Sequence, residues 1–386
     1  MHWYKLCKIF LFATLLLAVS NCIEPYGVPA LLTDYNYLVV QGFLIDETDS
    51  TIIKLSRTTT LKNESKETAE LNAQVYIEEE EGNTYVLTGN DEGIYSLPPL
   101  KFNAAKRYRL HIRTRDTKEY ASDFVALRQS PEINHVTWKE EDHGIRFYIN
   151  TRDPENKTWY YLWTFKETWK YSSAFRSPYI YENGEIKSRG NSEELFFCWR
   201  TLPSPDIYIN STQTLSQDVV SNYPLYFISN DSRKLYYGYS LLIQQYAITK
   251  GAYEYWTTLL KNNERVGSLF DALPSQDLGN LHCLSNPAEP VLGYFSASSI
   301  TRKRVMIDRQ EITGPSTSYQ PTGYEYCGEE FIPLDQLSLL LGNKLIIEKK
   351  YDDVTQQLTG YLVTTSDCAD CRAHGGTLTK PDYWNR

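Results

Sequence analysis

Cys368 and Cys371 stand in a C-x-x-C arrangement near the carboxyl end, the spacing in this sequence most suggestive of side-chain chemistry. Such a pair can run thiol–disulfide exchange when its surroundings stabilise a thiolate. A redox pair usually opens a helix, and Arg372-Ala373-His374-Gly375-Gly376 does not read as one, so a structural disulfide role is expected instead. Cys327, Cys368, Cys371 and His374 are a second candidate set, for zinc. A zinc ribbon carries two close pairs and only one is present, so no metal is expected. The histidines, His2, His111, His135, His143, His282 and His374, are scattered. No H-E-x-x-H and no G-x-S-x-G occurs, so no catalytic residue is named and no cofactor is implied. A hydrolase whose carboxylates meet only in space is the least favoured reading. Glu78-Glu79-Glu80-Glu81 could attract Ca²⁺, but adjacent side chains on a strand alternate faces. A solvated strand end before the Gly82-Asn83 turn is expected there.

A second group is aromatic: Trp159, Trp163, Phe165, Trp169, Tyr171, Tyr179 and Tyr181. Flat rings stack on sugars and peptide side chains and recur at interfaces. Core packing with ordinary strand propensity is the favoured explanation. In the functional alternative, some of Trp169, Tyr171, Tyr179 and Tyr181 line a ligand or partner contact in the loop after the strand.

The amino terminus is a separate signal. Lys5 and Lys8 precede an apolar run over 9–19, broken only by Thr14. A positive start and a short apolar stretch make a secretory signal, too short for the roughly 20 residues of a membrane span. The run ends Val19-Ser20-Asn21-Cys22, which resembles a bacterial lipobox. Residues 1–21 are read as a signal peptide, Cys22 as the lipidation site, and 22–34 as a lipidated tether. Each buried CH₂ contributes about 0.8 kcal/mol, so several acyl chains hold a soluble body firmly. Beyond Cys22 the mature chain keeps Cys198, Cys283, Cys327, Cys368 and Cys371. Five is odd, so at least one is unpaired or pairs between chains.

Net charge is −9, which argues against nucleic acid as a partner and against simple attraction to anionic lipid. Membrane contact is expected through the lipid anchor only. The chain has 386 residues, 41% hydrophobic and 14% aromatic, with 31 tyrosines and 2 methionines. That is enough apolar side chain for a packed core, and it favours strands. After the signal, the length suits two domains.

The elements that must position these residues are mostly strands. Between 33 and 130 about seven short segments alternate apolar and polar residues, as Val75 and Ile77 or Tyr108, Leu110 and Ile112 do. They read as an immunoglobulin-like β-sandwich. Ser130-Pro131 marks the boundary of a larger β-rich domain, 131–386. Its strand candidates include 159–165, 195–199, 207–209, 225–228, 235–247 and 293–307, with a final hairpin over 344–350 and 358–365. One helix is inserted near 250–263, with Tyr253, Trp256, Leu259 and Leu260 on one side. A long ordered loop follows over 267–290, and a short helix over 335–341. The expected class is therefore mostly β, an immunoglobulin-like sandwich followed by a larger β-rich domain with one inserted helix.

The order of motifs resembles a Bacteroidota outer-membrane lipoprotein family known as domain of unknown function 4249. The resemblance rests on Tyr37-Leu38-Val39-Val40-Gln41-Gly42, Leu55-Ser56-Arg57-Thr58, Tyr108-Arg109-Leu110 and Tyr255-Trp256. It continues through Gly267-Ser268-Leu269-Phe270-Asp271, Pro274-Ser275, Gly279-Asn280 and Leu292-Gly293-Tyr294-Phe295-Ser296-Ala297-Ser298. It ends at Cys368-Ala369-Asp370-Cys371-Arg372 with Gly375-Gly376. The resemblance implies an outer-membrane, surface-exposed lipoprotein that is a non-catalytic accessory of a TonB-dependent receptor, helping it capture or admit a ligand. It also implies that Cys283 is the odd thiol, which leaves Cys198, Cys327, Cys368 and Cys371 for two disulfides with three connectivities open. The alternative function is an independent carbohydrate- or peptide-binding surface lipoprotein.

Overall fold

The computed structural model describes residues 36–384, apart from residue 48, segments 59–67, 191–193, 265–278 and 313–322, and single positions 231 and 341. The signal, the tether and Cys22 lie outside the described residues, as do the motif at 267–271 and Pro274-Ser275. The fold is mostly β, and its described residues build three larger cores and a smaller cluster under helix Lys250–Glu264.

The first core follows directly from period-two alternation. Strand Gln74–Glu79 buries Val75 and Ile77, and strand Arg107–Arg113 buries Tyr108, Leu110 and Ile112. They pair antiparallel, Val75 opposite Ile112 and Ile77 opposite Leu110. Strands Leu38–Asp46, Thr51–Arg57 and Ile94–Leu97 form the facing sheet. Strand Thr84–Gly89 pairs with both Gln74–Glu79 and Ile94–Leu97, and so joins the two sheets into a sandwich.

Residues 33–130 do not fill this core alone. Leu281, Cys283, Val291, Phe295 and Ala297 are packed into it. Strand Leu281–Cys283 extends one sheet beside Glu119–Ser122, and Val291–Gly293 lies parallel to Leu38–Val40 in the other. The approach is close. A Cβ on Gly293 (φ 131°) would lie 2.1 Å from the Val40 carbonyl oxygen, and one on Gly279 (φ 108°) 1.7 Å from the Gly293 oxygen. Only glycine tolerates both that φ and that contact.

The second core lies between two further sheets. Strands Ile133–Glu141, Gly144–Arg152 and Val219–Ser229 make one. Phe197–Pro203, Tyr160–Ser172, Gly238–Ala247 and Ser296–Asp308 make the other. The last of these is shared between sandwiches. Its Ser296–Ser299 end runs parallel to Phe43–Asp46, and its Ile300–Asp308 end runs antiparallel to Gly238–Tyr246. Helix Lys250–Glu264 covers the outside of this sheet, where Ala252, Tyr253 and Trp256 pack near Tyr160, Leu162 and Ile248. Leu259, expected on the packed side, is 37% exposed.

A third core, of Ile332, Leu340, Ile346, Tyr361 and Val363, belongs to a five-stranded sheet. The hairpin of Lys344–Tyr351 and Leu358–Thr365 is its centre, flanked by Glu330–Pro333 and by the hairpin Tyr179–Glu182/Glu185–Ser188. The 335–341 helix is a 3₁₀ element over Leu334–Leu340, kinked at Gln336.

Candidate functional site at the sandwich junction

The chain passes from the first sandwich to the second along residues 127–134, and backbone bonds hold this passage in place. The Arg128 N–H donates to the Ala297 carbonyl at 3.0 Å, and the Ser299 N–H to the Arg128 carbonyl at 2.9 Å. Gln245 Nε2 and Thr301 Oγ1 both donate to the Pro131 carbonyl, at 2.7 and 2.8 Å.

Opposite runs the loop after strand Gly144–Arg152. The Asp153 carboxylate accepts from the backbone N–H groups of Glu155, Lys157 and Thr158, at 2.9, 2.8 and 2.9 Å, and from the Thr158 hydroxyl at 3.0 Å. Burial opposes its ionisation, but these bonds to the charged form outweigh burial and hold its carboxyl below the ordinary range. A second acid, Asp218, is fully buried. It accepts from the Trp159 N–H and the Tyr161 hydroxyl, both at 2.8 Å, and from the Thr212 hydroxyl at 2.5 Å. Asn156 and Trp159 sit at φ 52° and 58°, a left-handed geometry that these bonds sustain.

Between passage and loop lies a cleft of about 900 Å³. Arg128, Glu132 and Asn134 line one side, and Arg152, Glu155 and Lys157 the other. Lys157 pairs with Glu155 at 2.7 Å. Arg128 and Arg152 are exposed and have no ion pair among the described residues. Guanidinium groups present rigid, planar donors suited to carboxylate, phosphate or polar backbone. The arrangement can bind. Among the described residues no group of three or more His, Cys, Asp or Glu side chains is placed to hold a metal ion.

The aromatic residues singled out from sequence do not form this site. Trp169 and Tyr171 are 5% and 3% exposed and belong to the second core, not to a contact loop. The reason is that their strand continues to Ser172 instead of ending near Phe165, so they keep the inward alternation of Tyr161, Trp163 and Phe165. Lys234 Nζ lies 5.1 Å from the Trp169 ring centre, and the Tyr171 hydroxyl donates to the Cys371 carbonyl at 2.7 Å. Tyr179 and Tyr181 are half-buried against the third core. The four residues are thus divided between two cores.

The cysteines pair as Cys198–Cys371 and Cys327–Cys368, with Cα separations of 5.6 and 5.7 Å. The C-x-x-C pair is split between two bonds, and Cys283 is a buried free thiol. Residues Cys371–His374, expected to be non-helical, form one 3₁₀ turn that Asp370 caps and Gly375 ends at φ 77°. The acidic run is less solvated than expected. Glu78 pairs with Arg109 and His111, and Glu80 with Arg107, across the neighbouring strand.

Sequence reading marked the junction at Ser130-Pro131 but overlooked Arg128, Arg152 and the Asp153 loop. The available signal was Asp153-Pro154-Glu155-Asn156, a run rich in turn formers. A family model described as Domain of unknown function (DUF4249) matches residues 23–304. That match takes in both sandwiches up to the shared strand and ends before the C-x-x-C region. No curated protein matches the chain.

Proposed function

The chain belongs to the DUF4249 family, and from that premise we propose that it is a Bacteroidota-type outer-membrane lipoprotein. In this reading it is anchored through Cys22, faces the cell exterior, and serves as a non-catalytic accessory of a TonB-dependent receptor. The observation that carries the reading is the junction cleft: a recess of about 900 Å³ edged by two arginines that have no ion pair among the described residues. It offers a place to receive a ligand or a receptor loop without requiring any chemistry. The Val19-Ser20-Asn21-Cys22 motif supports the anchor. So does the lack, among the described residues, of a helix long and apolar enough to cross a membrane.

Two experiments test this. The tagged chain, extracted in mild detergent from its native membranes, is expected to co-purify with an outer-membrane barrel, and Arg128→Glu with Arg152→Glu to weaken that recovery. If no barrel co-purifies at any abundance, the partner reading fails. Cys22→Ser is expected to release a folded, soluble protein, and its retention in membranes would remove the lipid as sole anchor. A glycan or peptide bound tightly by the isolated chain would favour the independent binding lipoprotein instead.

A further inference from the structure

A smaller cavity, of about 90 Å³, lies on the opposite face of the sheet that closes the second core. Its position follows from strand register. Trp169 pairs with Tyr239 and Tyr239 with Ile307, and all three point into the core. The next residues along, Lys170, Gly238 and Asp308, therefore point outward in one row across three strands. The middle member has no side chain, which leaves a gap between the two charged ones. Trp384 roofs the gap: it is 3% exposed, and a Cβ on Gly238 would lie 3.3 Å from its ring. Tyr237 and Met306 complete the walls.

The two ends of this slot carry opposite charges. Among the described residues, Lys170 has no carboxylate within ion-pair distance, and Asp308 has no cation. The Lys170 ammonium instead lies 4.1 Å from the Phe197 ring centre, 5.6 Å from Trp199 and 5.9 Å from Tyr237. Burial, then Lys380 and Arg176, push its pKa down. Trp199, opposite Lys170 in the register, keeps its indole N–H buried without an acceptor. At the other end, one Asp308 oxygen accepts the Gln310 N–H at 3.1 Å, and the carboxylate has no cationic partner.

We propose that this slot binds a small free α-amino acid, its carboxylate toward Lys170 and its ammonium toward Asp308, with Tyr237, Met306 and Trp384 against its body. One water needs about 10–15 Å³ of such space, so about 90 Å³ leaves room for glycine, alanine or serine in place of water. The inference does not depend on the junction cleft or on a receptor partner.

Isothermal titration calorimetry of the full mature chain in detergent tests it, with L-alanine and glycine as probes. Acetate, which lacks the ammonium, and ethylamine, which lacks the carboxylate, are the controls. Alanine is expected to bind, and each control to bind at least about tenfold more weakly, the loss that one charged hydrogen bond carries. Lys170→Met and Asp308→Asn should each lower alanine affinity by about tenfold or more, with the melting temperature of each variant measured to show that it is folded. Lys170→Arg, which keeps the cation, should retain part of the affinity and guards against a merely structural loss. The proposal is overturned if neither amino acid binds at millimolar concentration. It is equally overturned if acetate binds as well as alanine, or if the two charge-removing variants bind alanine like the wild type.

Discussion

The two sandwiches are built from different side chains. The first core is largely aliphatic, with Leu38, Val40, Leu44, Ile53, Leu55, Val75, Ile77, Leu110 and Ile112 at its centre. The second is richer in rings, with Phe147, Tyr161, Trp163, Phe165, Trp169, Tyr171 and Tyr239 among its aliphatic residues, whereas the first has Tyr95, Phe102, Tyr108, Tyr120 and Phe295. Each sandwich holds a largely buried charge pair: Arg57 with Glu70 at 2.5 Å in the first, and Glu167 with Lys234 at 2.6 Å in the second, where Tyr239 donates to the same carboxylate at 3.0 Å. The first sandwich is completed by chain that arrives some 150 residues later, at 281–297. The second is stapled by Cys198–Cys371. The first sandwich buries its faces only with the help of those borrowed strands. The additional rings of the second bury more area per residue.

The largest expected effect tests that borrowing. Phe295→Ala should cost about 3–5 kcal/mol, although Phe295 lies far in sequence from the sandwich it fills. Denaturant unfolding followed at probes in the first sandwich measures it. Unchanged protection there would mean that 33–130 is self-sufficient.

Next is the staple. Replacing Cys198 and Cys371 together by serine removes a cross-link between residues 173 apart, and the expected loss is about 2–5 kcal/mol. Cys283→Ser, at a buried free thiol of the first core, should cost less. Equal melting shifts for the two would undo the distinction between the sandwiches.

Glu167→Gln leaves Lys234 and two tyrosines facing a neutral group. Lys234 retains a quarter of its side-chain exposure, so water offsets part of the penalty and about 2–3 kcal/mol is expected. Loss confined to the second sandwich, read by hydrogen exchange, is the expected pattern.

Acid separates the two regions more subtly. Asp153 beside the second core and Glu289 beside the first both titrate below their ordinary ranges. Burial opposes the charge in each. For Asp153 the backbone donors outweigh it, and for Glu289 the bonds from Lys118 and Tyr120 do. Lowered folded values mean that their stabilisation is complete above the unfolded carboxylate range, near pH 4. It is lost as pH falls through the lower folded values. Asp153→Asn should flatten the acid limb of the second sandwich only, as urea midpoints measured between neutral pH and pH 3 would show. An acid limb as steep as wild type would exclude Asp153 as its source.

The smallest stability effect belongs to the cleft. Arg128→Glu and Arg152→Glu should stay within about 0.5 kcal/mol, because both side chains are exposed and have no ion pair among the described residues.

Much of the local structure was legible. Alternation at Val75 and Ile77, or at Tyr108, Leu110 and Ile112, located strands because one face must be dry. The 344–365 hairpin and the helix from Lys250 were legible for the same kind of reason. The strand beyond Phe165 was not, because Lys166, Glu167 and Thr168 look like an exposed end. Glu167 is buried only because Lys234 and Tyr239 arrive from elsewhere. Of the site, the junction at Ser130-Pro131 was visible, but the arginines flanking it looked like any surface arginines.

The sequence by itself determined that this chain is mostly β, that it belongs with the DUF4249 family, and which short runs become strands. Those properties depend on neighbours within a few residues. Only the tertiary structure decided that Ser296–Asp308 serves both sandwiches, that Cys368 and Cys371 take different partners, and that Trp169 and Tyr171 are core. It also decided that Lys170, Gly238 and Asp308 line one slot. Each of these depends on register between strands distant in the chain, and a one-residue slip would send every side chain to the other face.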